Sequence, residues 1–323
     1  MIHGLVLGKF LPPHAGHVYL VEFARRRCDV LTVVVGSLSR EPIPGALRFQ
    51  WMKQLFPAVN VVRLTDENPQ TPEEHPEFWA IWKASLERVL PCRPQRVFAS
   101  EAYGAPLASL FDATFIPVDP GRSALPTSGT AVRADPWAHW SYLPRPVRPH
   151  FLRRISLFGP ESTGKSTLAS ELAAHYGTVA VPEYARTYLE MHARDPRPED
   201  LVDIALGQVA SEDALAFEAH RRLICDTDPL LTTIWSEVLF GSCHPTVENL
   251  AQRPYDLTLL LDVDLPWVPD PVRYRPDDRH DFLRRCEHAL DRHRRHYVRI
   301  SGTGTQRLRA ACSAIDEIPP PRL

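Results

Sequence analysis

Several things are scarce in this chain, and each scarcity narrows what it does. No apolar run in the 323 residues approaches the roughly 20 that a membrane-spanning helix needs. The six cysteines, Cys28, Cys92, Cys225, Cys243, Cys286 and Cys312, form no C-x-x-C pair and have no adjacent histidine spacing. Neither structural zinc nor a disulfide framework is therefore expected. A charge excess of one sign is missing too, since 37 basic and 39 acidic residues leave a formal net charge of −2. That balance gives no field for holding a polynucleotide by phosphate neutralisation, so nucleic acid is not an expected partner. Met1-Ile-His-Gly runs straight into an apolar stretch rather than a targeting segment, which makes a cytoplasmic location the expectation.

Lysine is scarcer still: Lys9, Lys53, Lys83 and Lys165 are the only four among the basic residues. Two of them fall inside glycine-containing motifs. A slim, rotatable ammonium fits beside phosphate oxygens that a planar guanidinium would crowd, so in an arginine-drifted sequence these two lysines point to phosphate chemistry.

The first motif, Gly8-Lys-Phe-Leu-Pro-Pro-His14-Ala-Gly16-His17, follows the apolar run Leu5-Val-Leu7 and precedes a helical pattern from Val18. Its glycines Gly8 and Gly16 let backbone approach an anion, Lys9 and Phe10 stand between them, and the two imidazoles face one phosphate as donors. Thr127-Ser128-Gly-Thr130-Ala-Val-Arg133 is the expected partner, its hydroxyls and arginine taking the β- and γ-phosphates of ATP. The second motif, Gly159-Pro-Glu161-Ser162-Thr163-Gly164-Lys165-Ser166, lies between the run Ile155–Phe158 and a helix opening at Thr167. Strand, glycine-rich turn and helix in that order form a P-loop. Lys165 then reaches the β- and γ-phosphates, and Ser166 coordinates Mg²⁺.

Short apolar runs alternate with helical ones through both halves, at Val30–Val35, Val59–Val62, Arg96–Ala99, Ala113–Val118, Thr178–Val181, Leu223–Cys225 and Leu257–Leu261, with a last strand and helix around Val298 to Ile315. Helices are expected at 46–56, 76–90 and, as one long element, 199–222. The fold class is therefore α/β, two doubly wound parallel-sheet domains, with ligands at the carboxyl ends of the strands. Leu143-Pro-Arg-Pro-Val-Arg-Pro149 is expected to be an extended polyproline linker between a Rossmann-like nucleotidyltransferase domain, 1–146, and a P-loop kinase domain, 151–323.

Leu223-Ile-Cys-Asp226-Thr-Asp228 supplies carboxylates beside the P-loop. Asp226 is assigned to the metal-water shell or to proton removal, and Asp228 to a ribose hydroxyl. Glu183 ends the second strand of that half, and the general base stays open among Glu183, Asp226 and Asp228.

The residues His14-Ala-Gly-His17 and Ser128-Gly-Thr-Ala-Val-Arg133 resemble those of nicotinamide mononucleotide adenylyltransferases. With Ser100-Glu101-Ala-Tyr103-Gly104, Val118-Asp119-Pro-Gly-Arg122 and the P-loop half, nearly the whole chain is similar to the NadR family of bifunctional NAD-salvage enzymes. The resemblance implies phosphorylation of nicotinamide riboside to nicotinamide mononucleotide (NMN) with ATP·Mg, then adenylylation of NMN to NAD. It also implies substrate contacts by Trp79, Tyr184, Trp267 and Asp228, and a mobile lid carrying Arg273, Arg275 and Arg279. Family lids read Pro-Trp-Val followed by Asp-Gly and Arg, whereas Pro271 here stiffens the hinge. Some family members carry an N-terminal DNA-binding module, which is not expected where a strand begins at about residue 2. Two other readings share the motifs. One is an adenylyltransferase and kinase fusion of coenzyme A synthesis; the other is a nucleotide sensor with one decayed site, for example gating a riboside transporter.

Overall fold

A computed structural model describes residues 1–269 and 278–322, which form two compact units, Met1–Val147 and Arg148–Pro320. Arg273 and Arg275 of the expected lid lie outside the described residues.

The first unit runs β1 (His3–Gly8), α1 (Ala15–Arg25), β2 (Val30–Gly36), α2 (Gly45–Leu55), β3 (Asn60–Leu64), α3 (Phe78–Val89), β4 (Arg96–Ala99), α4 (Gly104–Ser109), β5 (Thr114–Pro117) and α5 (Gly129–Ala134). Its five strands are all parallel, in the order β3-β2-β1-β4-β5. Successive strand residues face opposite sides, so Leu5, Val34 and Val97 pack under α3 and α4 while Val6, Val33 and Phe98 pack under α1 and α2. Burial on both faces explains why these strands read as unbroken apolar runs. The order reverses at β1, and the turn leaving that strand carries Lys9 to His17.

The second unit runs β6 (Arg153–Phe158), α6 (Lys165–Tyr176), β7 (Ala180–Val181), α7 (Tyr184–His192), α8 (Pro198–Leu215), β8 (Arg222–Asp226), α9 (Pro229–Phe240), α10 (Pro245–Ala251), β9 (Leu257–Leu261), α11 (Arg279–Arg292), β10 (Tyr297–Ile300) and α12 (Gly304–Asp316). The parallel strands stand in the order β10-β9-β6-β8-β7. Leu257, Leu259 and Leu261 face α6 and α12, and Leu260 faces α9 and α11. The reversal point is β6, whose end holds the P-loop.

Two expectations are corrected. Leu143 to Pro149 is no extended linker: Val147 N–H donates to the Pro144 carbonyl at 2.9 Å, a 3-10 helix spans Arg148–Phe151, and Leu143, Val147 and Phe151 are buried. Burial of those apolar residues overrides the local preference of proline. The helix expected over 199–222 ends at Leu215, because Arg222 already belongs to β8. No helix among the described residues is long and apolar enough to cross a membrane.

Candidate active sites

In the first unit the carboxyl ends of the strands enclose a cavity of about 690 Å³ that brings together Gly8, Lys9, Phe10, His14, Gly16 and His17 with Ser128, Thr130 and Arg133. Both histidines belong to the start of α1. The His14 Nδ1 accepts the Gly16 N–H at 3.2 Å, and the His17 Nδ1 accepts the His14 N–H at 3.3 Å. With Nδ1 occupied as acceptor in each ring, the proton of each neutral imidazole sits on Nε2, so both rings are donors at that atom. The ring centroids are 3.8 Å apart. Burial, then the Arg122 and His139 charges, push His14 down to about 4; burial, then His14 and Arg122, hold His17 well below 6.5. Near neutral pH the pair is therefore uncharged, and its donors are fixed in direction by the helix backbone.

The second motif is tied to the first. Arg133 Nη1 donates to the Leu11 carbonyl and Nη2 to the Thr130 hydroxyl at 3.2 Å, while Ser128 caps α5 by accepting the Ala131 N–H at 3.1 Å. Any Cβ at Gly129 would stand 2.7 Å from the Leu11 oxygen, so this crossing requires glycine. Lys9 pairs with Glu41 at 3.2 Å. Trp79 lines the cavity beside Trp82, whose indole N–H donates to the Pro69 carbonyl at 2.8 Å.

Arg48 carries no local signature in the sequence. Its guanidinium is fully buried and donates to the carbonyls of Ile43 and Gly36, each at 3.0 Å, to that of Lys9, and to Glu41. It thereby fixes the Lys9 turn against the end of β2. Arg122, at the end of the family-like segment Val118–Arg122, also lines the cavity and donates to Glu101 at 3.2 Å.

In the second unit a cavity of about 170 Å³ is lined by the P-loop residues Gly159, Glu161, Ser162, Thr163, Gly164, Lys165 and Ser166, by Thr167, and by Glu183 across from them. Gly159 and Gly164 adopt φ of +135° and +80°, and a Cβ on Gly159 would meet the Leu261 carbonyl at 2.9 Å. The Lys165 ammonium donates to the carbonyls of Gly159 at 3.1 Å and Pro160 at 2.9 Å. Two arginines brace the loop from behind: Arg307 donates to the Thr163 carbonyl and Arg279 to the Ser162 carbonyl at 3.0 Å. Arg279 is thus a buried anchor of the loop, which also bonds the Leu265 carbonyl at 3.0 Å.

Asp226 closes β8 and is buried, with its carboxyl raised above the usual range by burial and then by Glu183, against Lys165, Ser166 and Arg186. The Ser166 hydroxyl favours the charged form of that carboxyl, whose Oδ1 has no hydrogen-bond partner. Among the described residues no three His, Cys, Asp or Glu side chains converge as a metal cage. Mg²⁺ held by one or two protein oxygens and the phosphates of its nucleotide needs no such cage, and an orphaned carboxylate oxygen next to the P-loop serine fits that mode.

Three expected substrate contacts take other positions. Asp228 is completely buried and its Oδ1 accepts the Leu230 N–H at 2.8 Å, capping α9 ahead of Pro229, so it does not line the cavity. The Tyr184 ring packs on Gly207, where a Cβ would come within 2.1 Å, because the small residue on α8 is what admits it. Trp267 lies 6.0 Å from the Arg279 guanidinium rather than on the cavity wall. The apolar wall is instead built by Leu201, Ile204, Leu231, Trp235 and Leu239, with Thr227 and Gln208 as polar members.

Residues 154–307 match a protein-family model described as an AAA domain. The chain is 30% identical to the trifunctional NAD biosynthesis/regulator protein NadR of Escherichia coli K12, over 92% of this chain and 78% of that one. It is 31% identical to the protein of the same description from Salmonella typhimurium LT2, over 84% and 71%. Among solved structures, a NadR protein in complex with NAD and AMP-PNP aligns with a TM-score of 0.79 at 22% identity, covering 100% of this chain and 98% of that one. A NadR protein in complex with NR aligns at 0.80 and 22%, covering 99% and 98%. With adenylyltransferase-like and kinase-like halves both present, this chain belongs to the NadR family of NAD-biosynthesis proteins.

Proposed function

We propose that the second unit phosphorylates nicotinamide riboside at its 5′-hydroxyl and that the first unit joins the resulting NMN to AMP, making NAD. In the kinase step the 5′-oxygen attacks the γ-phosphorus, the bond to the β,γ-bridging oxygen breaks, and ADP leaves. The hydroxyl proton passes to a carboxylate, for which Glu183, on the cavity wall, and Asp226, where it does not hold the metal, are the candidates. Lys165 exchanges its loop carbonyls for phosphate oxygens. Ser166 and Asp226 would hold Mg²⁺, which supplies charge neutralisation across the phosphates.

In the adenylyl step an NMN phosphate oxygen attacks the α-phosphorus of ATP, and pyrophosphate leaves with the bridging oxygen. No proton need move, so catalysis here rests on position and on donors to the charge that builds at the α-phosphate. The observation that carries this reading is the pair of neutral imidazoles, each with Nδ1 held by backbone at the start of α1 and Nε2–H available to the cavity. Lys9, Arg122 and Arg133 add cationic charge to the same cavity, and Trp79 offers its ring to the pyridine. Related proteins solved with NAD, AMP-PNP and NR support the substrate assignment.

Mass spectrometry of products from nicotinamide riboside, ATP and Mg²⁺ tests the scheme. NMN should appear first and NAD after it; failure to form NMN from riboside, or NAD from supplied NMN, removes the corresponding half.

A further inference from the structure

One residue of the kinase cavity has a conformation its side chain disfavours. Thr227, between Asp226 and Asp228, adopts φ of +77°. A β-branched residue rarely enters that region, which glycine occupies at no steric cost. The turn itself asks only for the backbone: Thr227 N–H donates to the Leu157 carbonyl at 3.0 Å, extending the β6–β8 pairing by one residue before Asp228 caps α9. Glycine would make the same bond. The threonine side chain is nevertheless present, its Oγ1 is buried with no hydrogen-bond partner, and the residue lines the cavity at 6% exposure.

Gln208 on α8 repeats the pattern. It is 2% exposed and lines the same cavity. Its Oε1 accepts the Tyr184 N–H at 2.9 Å, which fixes the amide orientation and leaves Nε2 as a buried donor without a partner. Buried polar atoms in folded proteins almost always find partners, and strain kept at a cavity wall is characteristic of sites where the side chain has work to do. Two orphaned groups on one cavity, against a wall of Leu201, Ile204 and Trp235, make a polar pair within an apolar cleft, the usual composition of a nucleoside site.

We infer that the Thr227 hydroxyl and the Gln208 amide N–H are substrate-contacting groups that hydrogen-bond the acceptor nucleoside, Gln208 to an acceptor oxygen and Thr227 to a sugar hydroxyl. This rests on the kinase reading of the second unit. It assigns acceptor selection to two residues of the cavity wall rather than to Asp228 or Tyr184, which do not line it.

The test uses the full chain with Thr227→Val, Thr227→Ser, Thr227→Gly and Gln208→Glu, measuring steady-state phosphorylation of nicotinamide riboside, adenosine and cytidine, with NMN adenylylation as the internal control. Valine keeps the shape and removes the hydroxyl, and Gln208→Glu keeps the acceptor for Tyr184 while removing the donor. Each should raise the riboside KM about tenfold with the ATP KM unchanged, and serine should restore the wild-type value to within about threefold. Thr227→Gly should show the same KM rise together with a higher Tm, since it relieves the backbone. An unchanged riboside KM in Thr227→Val, or a Tm that falls in Thr227→Gly, would overturn the inference. If the wild type phosphorylates none of the three nucleosides, the kinase reading itself fails and takes this inference with it, an outcome recognisable because the unmutated chain is silent.

Discussion

His14→Asn gives the sharpest test of the uncharged histidine pair. Asparagine still offers a side-chain oxygen to the start of α1, so the helix keeps its cap, but the group that titrates is gone. In the folded wild type His14 binds its proton at about 4, whereas the unfolded chain binds it near 6.5. A folded value below the unfolded one means stability that is complete above 6.5 and drains away as pH falls toward 4. At about 1.4 kcal/mol per pH unit, that interval is worth about 3 kcal/mol. Urea unfolding followed by tryptophan fluorescence reads it, because five of the seven tryptophans, Trp51, Trp79, Trp82, Trp137 and Trp140, belong to the first unit. Between pH 7.5 and 4.5 the wild type should lose about 2.5 kcal/mol more than His14→Asn. Distant groups such as Glu212 and Asp226 are common to both proteins and cancel in the difference, whereas His17, held down in part by the His14 charge, is released in the variant and widens it. Equal losses in the two proteins would refute the burial argument and, with it, the tautomer assignment that makes Nε2 the donor.

Lys165→Ala should abolish phosphorylation of the riboside while leaving adenylyl transfer from NMN measurable, and His17→Ala should do the opposite; a folded variant silent in both assays would contradict separate sites. Gly129→Ala places a Cβ 2.7 Å from the Leu11 oxygen, so it should cost about 1–3 kcal/mol in the first unit and slow adenylyl transfer without touching the kinase, as unfolding and the two rate assays would show. Asp228→Ala should lower stability of the second unit by about 1 kcal/mol through loss of the α9 cap, and Asp228→Asn should recover it. A raised riboside KM in the asparagine variant would return Asp228 to the sugar.

Both phosphate motifs were legible because each is contiguous: a strand, a glycine-bearing turn and a helix within about fifteen residues carry their own geometry. The strands were legible for a related reason, since Leu257–Leu261 and Val30–Val35 are buried on both faces and leave few polar interruptions. What escaped depends on partners distant in sequence. Arg48 and Arg307 are buried loop anchors in an arginine-rich chain, where nothing local distinguishes them from solvated neighbours. The Tyr184 ring was displaced from the expected site by Gly207, a residue whose significance exists only once α7 lies on α8. Asp228 resembles a second catalytic carboxylate because capping and ligand contact use the same chemistry, and only its bond to the Leu230 N–H at the head of α9 decides between them. Thr227 was invisible for want of a backbone angle.

The two arginines behind the P-loop have a kinetic implication. By claiming the oxygens of Ser162 and Thr163, Arg279 and Arg307 set the tilt of successive peptide planes before any nucleotide is present. The ordering entropy of the cradle is then spent during folding instead of at each encounter with ATP. Association should accordingly be a docking event whose slow step is the swing of a single ammonium off Gly159 and Pro160.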